Sequence, residues 1–471
     1  MNHTPHVTEL AHLATRTATL AANGSPALIR ARECVLDLIA LAIGGTQTEV
    51  GRIAIRSKAT SQFPARLGTP GCSIFGGIGH FTPGDAAGLN GLLAHALQCD
   101  DGMRRAHGHP GIAVIPAVFA AAEATNADGP TLLRAIVGGY EVFARLGAAI
   151  NPEHLSQGFH PSGTVGAVAA AAGASLVFDA ENTRWLENAM ALAASASGGL
   201  MEHSLYGDMS SYFVGGNAAR VGIEAAILAR EGMTGPLSVL EGKYGMAAAM
   251  AGGTLRTSDL LGLDPGGPKI LQTYTKLYPS CRHTHAAIEA ALSLRAQILD
   301  PDEIESIRIG IYKLAIDECD RPSVHTLAGA ESSLQLTVAA ALIHGDISLR
   351  NRSYGRYQDK RVQLLSKRID VVHEPAFDAL LPGLRPADVR LTTVGQQTFQ
   401  VRVDLPRGEP ERPLTWDELA DKAWSAASSV LGAQQFSELE GAVASLESAL
   451  SLRHLAEAIT TNTDLGDTEN D

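Results

Sequence analysis

The chain has 471 residues, 45% of them hydrophobic and 18% charged, with 48 glycines. That length exceeds one simple core and predicts two or three domains, and the composition is that of a folded chain with a large buried fraction, not a disordered one. Fifty acidic residues against 37 basic ones leave a net charge of −13, which argues against nucleic acid or an anionic membrane as partner.

The N-terminal stretch MNHTPHVTELAHLATRTATLAANG lacks a charged leader followed by a continuous apolar core, so it does not read as a signal peptide. No uninterrupted apolar run reaches membrane-spanning length. From there to about residue 300 the predicted elements are helices. SPALIRARECVLDLIALAIGG has Ser25 as a cap and Pro26 at the first helical position; Val35, Leu38, Ile39 and Ala42 recur at helical spacing, and Gly44–Gly45 ends the run. DGPTLLRAIVGGYEVFARLGAAI repeats the pattern with Leu132, Leu133, Ile136, Val137, Tyr140 and Phe143. Runs near 84–98, 113–126, 162–178, 182–200 and 216–231 are rich in Ala and Gly, which lets helices approach closely, and they read as helices packed inside a bundle.

No strand alternation precedes about residue 300. IESIRIGIY then turns Ile307, Ile309 and Ile311 one way and Ser306, Arg308 and Gly310 the other; TFQVRVDL does the same with Phe399, Val401, Val403 and Leu405. Between them lie charged, irregular segments and a helix over AESSLQLTVAAALIHG. The expected fold is mainly α: an all-helical domain over 1–268, an α+β domain over 269–410, C-terminal helices over 411–460 returning to the helical domain, and a frayed acidic tail over 461–471.

Five cysteines stand at 34, 72, 99, 281 and 319, with no CxxC pair. A disulfide framework, a zinc ribbon and a three-cysteine iron–sulfur site therefore lack support, and free thiols fit a reducing, cytoplasmic location. Four segments break the apolar texture with titratable groups: CDDGMRRAHGHPG (Cys99–Gly111), LSQGFHPSGTVGAVAAAA with His160, GLMEHSLYGDMSSYFVGGNAARVGIEAA with Arg220, and YTKLYPSCRHTHAAIEAAL with Lys276, Cys281, Arg282, His283 and His285. Each ends at or near a helix N-terminus, where backbone N–H groups and the helix dipole favour anions. One His–Pro at such a junction is commonly only a cap. Four together suit a small acid with a labile proton beside a carboxylate. Metal is the weaker reading: His107/His109 and His283/His285 are spaced by two, and no HExxH or cysteine-rich ligand pattern accompanies them. Nucleotide binding has neither GxxxxGK[ST] nor a glycine loop in a βαβ unit, and the Ser162 and Ser204 contexts are not nucleophile elbows.

HALQCDDGMRRAHGHPGIAVIPAVFAAAEA, GFHPSGTVGAVAAAAGAS, GGNAARVGIEAAILA and KLYPSCRHTHAAIEAAL occur in the order and at roughly the spacing found in the MmgE/PrpD family, which includes 2-methylcitrate dehydratases, cis-aconitate decarboxylases and iminodisuccinate epimerases. The resemblance covers about residues 5 to 450. It implies a large helical domain, a smaller α+β lid domain, a homodimer, an active site between the domains, and a cofactor-free, metal-free reaction on a small di- or tricarboxylate. His109 matches the histidine after the family's paired acids, here Asp100 and Asp101. His160 matches the histidine of its HP motif, and Lys276 the lysine before its YP or FP dipeptide.

Three positions depart from the decarboxylase-like pattern: Gln98 in place of an acid, Ser211 in place of a lysine, and Leu334 and Leu336 where a tyrosine is expected. The resemblance therefore implies His160 as base, His109 as partner acid, Lys276 with Arg282 as carboxylate holders, and Asp101 orienting His109 or closing its loop. Arg104, Arg105 and His107 are further candidates for reading the substrate. Dehydratase or epimerase chemistry is the leading expectation; cis-aconitate decarboxylase-like activity and a non-catalytic metabolite-binding relative are the alternatives.

Overall fold

The computed structural model describes residues 4–59, 71–77, 79–263, 266–298 and 300–460. They form two compact units: residues up to Met201, Ser210–Thr273 and Thr415 onward make the first, and Glu202–Met209 with Tyr274–Leu414 the second. The acidic tail expected over 461–471 lies outside the described residues.

The first unit is built on α1 (His6–Leu20), α2 (Pro26–Gly45), α3 (Pro83–His95), α4 (Gly111–Thr125), α5 (Gly129–Ile150), α6 (Pro161–Phe178), α7 (Thr183–Ala196) and α8 (Ser210–Arg230). Ser25 caps α2 by accepting from the Leu28 N–H at 3.4 Å, with Pro26 in the first turn. α6 is the centre of this unit: α4, α5, α7 and α8 all pack on it, and every residue from Pro161 to Val177 is buried. Small side chains make that possible. A Cβ on Gly222 of α8 would stand 2.4 Å from the Ala170 methyl, so the two helices meet at a distance only glycine permits.

Among the described residues α6 is the one helix long and apolar enough to cross a membrane, a length that the search for uninterrupted apolar runs does not reveal; 94% of it is buried in the unit, as an interior bundle helix must be. The first unit is also not purely helical. Cys72–Ser73 pairs antiparallel with His80–Phe81, and two-residue strands are too short to show a period-two pattern.

The second unit holds α9 (His285–Arg295), β1 (Ile304–Ile311), α10 (Lys313–Cys319), α11 (Leu334–His344), β2 (Ile369–His373), β3 (Ala387–Thr393) and β4 (Thr398–Val403). The strands form one mixed sheet in the order β2-β1-β3-β4, with β1 parallel to β2 and antiparallel to β3. Ile307, Ile309 and Ile311 are buried as their alternation predicts, in a core shared with α9 and α11. β2 and β3 fall where the sequence suggests irregular chain. β2 is a five-residue edge strand, and the inward face of β3 runs from Ala387 to Thr393, too weakly apolar at its ends to stand out. The helix expected over AESSLQLTVAAALIHG is broken at Ser332–Ser333: a short helix ends at Glu331, and Ser333 starts α11 afresh by accepting from the Leu336 N–H at 3.1 Å. Glu202–Met209 joins this unit through Thr326, whose hydroxyl donates to the Gly207 carbonyl at 2.9 Å; apolar periodicity does not encode such a contact.

The chain then returns to the first unit with α12 (Trp416–Ala427) and α13 (Ala433–Ala444). A capping box between Thr415 and Glu418 starts α12. Its buried Lys422 donates to Asp37 of α2 and to the Cys99 carbonyl, both at 2.8 Å. The last helices thereby fasten the segment that opens the Cys99–Gly111 loop.

Candidate functional site

In the first unit the Cys99–Gly111 loop folds as a tight turn. The Met103 N–H donates to the Gly108 carbonyl at 2.9 Å, and Arg104, Arg105 and His107 lie between these residues. Gln98 and His107 adopt left-handed φ values of 55° and 54°, a conformation unusual for side chains of their size. A Cβ on Gly108 would meet Phe143 at 2.9 Å and Pro161 at 3.1 Å, so the turn sits hard against the start of α6.

That contact brings two of the expected residues to one end of α6. The His109 N–H donates to the Ser162 hydroxyl at 2.9 Å, and His160 is the residue immediately before the helix, its own N–H bonded to the Gly199 carbonyl at 3.0 Å. The His109 Nδ1 lies 2.5 Å from the Asp101 carbonyl oxygen and 3.2 Å from Asp100 Oδ2. Both are acceptors, so Nδ1 carries the proton, and a neutral His109 holds its lone pair on Nε2.

The two acids divide the contacts between them. Asp100, 1% exposed, is the carboxylate that faces His109, and its Oδ1 is 2.8 Å from His95 Nδ1. Asp101 reaches His109 only through its backbone. Its carboxylate closes the loop instead, with Oδ1 accepting from the Gly111 N–H at 3.0 Å and Oδ2 from the Tyr140 hydroxyl at 2.6 Å. The N-terminus of α4, read from sequence as an anion site, is thus occupied by the chain's own carboxylate. Burial, reinforced by the charge of Asp100, pushes the Asp101 carboxyl up to about 6 against those two hydrogen bonds.

The remaining candidates of this unit are placed as follows. Arg105 is 61% exposed and pairs with Asp259 at 3.1 Å, which makes it a surface residue. Arg220 is exposed on α8 and reaches Asn217 at 2.8 Å. Ser211, at the position where many members of the resembled family carry a lysine, is buried in the first turn of α8. Arg104 and His107 are half-buried in the turn.

In the second unit Lys276 is 1% exposed. Its charge acts on Glu331, a buried carboxyl that Arg352 grips through two bonds of 2.6 and 2.9 Å; burial nevertheless raises the Glu331 pKa. Arg282 does not have the geometry of a substrate holder. Its guanidinium is buried, forms an ion pair with the fully buried Glu409, stacks over Tyr274 at 4.4 Å, and donates to His285 Nδ1 at 3.0 Å. Because a guanidinium only donates, His285 accepts at Nδ1 and carries its proton on Nε2. His283 lies between the Tyr312 hydroxyl at 2.5 Å and Glu318 at 3.3 Å. Among the described residues no group of three or more His, Cys, Asp and Glu side chains is arranged to hold a metal ion.

The MmgE/PrpD N-terminal domain matches residues 9–258 and the MmgE/PrpD C-terminal domain residues 278–448. The chain belongs to the MmgE/PrpD family. Curated proteins similar to this MmgE/PrpD chain include the cis-aconitate decarboxylase-like protein oryM of Aspergillus oryzae, 28% identical over 91% of this chain and 92% of the relative. The cis-aconitate decarboxylase of Mus musculus is 28% identical over 85% and 83%, and that of Homo sapiens 27% over 89% and 87%. Sequence reasoning misses His95, Tyr140 and Ser162 in this MmgE/PrpD chain, and does not single out the Asp100 carboxylate as a neighbour of the His109 ring. A signal for His95 is present in the sequence: a polar, titratable residue in the apolar run GLLAHALQ, five positions before Asp100.

Proposed function

We propose that the protein is a cofactor-free lyase or isomerase that moves a proton beside a carboxylate of a small di- or tricarboxylic acid. The observation that carries this reading is the junction at α6, where the His109 N–H is bonded to Ser162, two residues beyond His160, while the His109 ring is held by Nδ1 so that Nε2 does the proton transfer. His160 takes the proton next to the carboxylate. Lys276 supplies the positive charge that holds a carboxylate of the substrate. The protonated His109 donates from Nε2, and the Asp100 carboxylate balances its charge in the meantime.

Two outcomes share that first step, and in a third the C–CO₂ bond breaks in place of the C–H bond, so that no proton is removed first. If the electron pair left by the proton expels a hydroxyl on the next carbon, His109 protonates it and water leaves: a dehydration. If His109 returns a proton to the opposite face, the centre is epimerised. If a C–CO₂ bond breaks instead, His109 protonates the carbon that remains. Dehydration or epimerisation is the leading proposal, because Gln98, Ser211, Leu334 and Leu336 replace the acid, lysine and tyrosine of the decarboxylase-like pattern. Decarboxylation is the second, favoured by the names of the curated relatives.

A panel of C4–C7 di- and tricarboxylates in D₂O, followed by NMR for exchange or loss of the proton beside the carboxylate and by CO₂ release, tests both. Exchange or dehydration without CO₂, abolished in His160→Ala, is the expected result; CO₂ from cis-aconitate moves the assignment to decarboxylation. Binding of panel members with neither would make the protein a non-catalytic relative and overturn the proposal. Lys276→Ala is expected to raise KM or abolish turnover with little change in melting temperature. The homodimer implied by the family resemblance is retained as part of the proposal, and light scattering of the purified chain tests it.

A further inference from the structure

His95 has no place in the chemistry above. It is 3% exposed and the last residue of α3. Its Nδ1 is 2.8 Å from Asp100 Oδ1, and the other oxygen of that carboxylate is 3.2 Å from His109 Nδ1. One carboxylate therefore lies against two imidazoles, hydrogen-bonded to His95 and within ion-pair distance of His109, and the ring centres are 5.4 Å apart. The His95 ring is itself held edge-on by Tyr212 of α8, 5.7 Å away at 71°.

We propose that His95 is a positioning residue that acts on His109 through Asp100, an inference that rests on His109 being a proton carrier. A carboxylate on a loop has two soft torsions. The Nδ1–H of His95, fixed to the end of a packed helix, pins Oδ1 and so aims Oδ2 at His109. When His109 takes up a proton, the aimed charge is already in place and nothing reorganises. Other charged groups acting on Asp100 or its neighbours include Arg30 and Asp37 of α2, Lys422 of α12 and Asp101.

The test is a set of four variants of the full-length protein: His95→Leu, which removes the donor at similar volume; His95→Asn, whose amide nitrogen keeps a donor near the place of Nδ1; Asp100→Asn; and the His95→Leu/Asp100→Asn double variant. His95→Leu is expected to lower kcat for proton exchange by about tenfold to a hundredfold, a part of what general acid–base catalysis supplies, with KM changed by less than about twofold. His95→Asn restores most of the rate. In the Asp100→Asn background the His95→Leu change adds nothing further. An unchanged kcat in His95→Leu, or the same loss with and without Asp100, overturns the relay. The second arm needs no substrate: by ¹⁵N NMR of the imidazoles, His95→Leu and Asp100→Asn should move the titration midpoint of His109 in the same direction. A His109 midpoint unmoved by His95→Leu overturns the proposal even if every acid in the panel proves inert, so its failure is separable from failure of the proton-transfer reading.

Discussion

The segments RAHGHPG of the first unit and SCRHTHAA of the second share one pattern in sequence: arginine, then histidines two apart, then a helix. Folded, they differ in what holds the rings. His109 Nδ1 lies against a backbone carbonyl and a shared carboxylate, which settles its tautomer. His283 is bound at both nitrogens, by Tyr312 and by Glu318, and His285 is locked to Arg282, which is itself locked to Glu409. The lesson is that a histidine's tautomer and use depend on which groups meet its ring nitrogens, and residue spacing does not encode those groups. In the second unit these side chains bond to one another and to neighbouring residues, and Lys276 is the residue of that segment to which we assign a substrate role.

The comparison can be broken most forcefully at the two histidines themselves. His109→Ala should cut proton exchange by about 10² to 10⁴, the usual worth of a general acid–base group, while His283→Ala keeps exchange within about fivefold of wild type and loses stability instead. NMR exchange rates alongside thermal melting decide it, and equal losses of rate would erase the distinction between the two rings. Next is the buried ion pair. Glu409→Ala leaves the Arg282 guanidinium uncompensated in a site from which water is excluded, and should cost about 3–5 kcal/mol in denaturant unfolding. A loss confined to activity would instead return Arg282 to the substrate.

The acid pair sharpens the comparison through pH. The folded pKa of Asp101, about 6, lies above the ordinary carboxylate value of about 3.9. Its contribution to stability is therefore fully present below about 3.9 and is lost as pH rises through about 6. Asp101→Asn removes that dependence. Between pH of about 4 and about 7 the stability difference should shift in favour of the variant by roughly 1–3 kcal/mol, read from urea unfolding across that range. The smallest effect belongs to Arg105→Ala, an exposed partner of Asp259. Stability should move by less than about 0.5 kcal/mol and turnover not at all; a clear rise in KM would restore Arg105 as a substrate contact.

Much of this molecule is legible from its residues. Helices with a repeating apolar face announce themselves, and so do the two strands whose alternation is clean, because periodicity is a local property. β2 and β3 are hidden because their inward positions include Ala387 and Thr393 at the ends and only short apolar stretches between. At the candidate site, composition and family likeness point to His109 and His160, and a hydrogen bond through Ser162 joins their surroundings. What composition does not carry is the partner of each charge. Asp100 and Asp101 are chemically identical neighbours, yet one faces two imidazoles and the other caps α4. Arg282 reads as an anion ligand until Glu409, 127 positions away, is seen to occupy it.

Lys422 gives the loop a dependence on the order in which the chain is made. Asp37 and Lys422 are 385 positions apart, and the lysine also holds the Cys99 carbonyl at the root of the loop. Synthesis runs from the N-terminus at about 5–20 residues per second, so α2 and the loop leave the ribosome well before the cation that fastens them. During that interval Asp37 has no Lys422 to neutralise it. The hold on the Cys99 carbonyl, one residue before Asp100, is thus made only when α12 folds back onto α2.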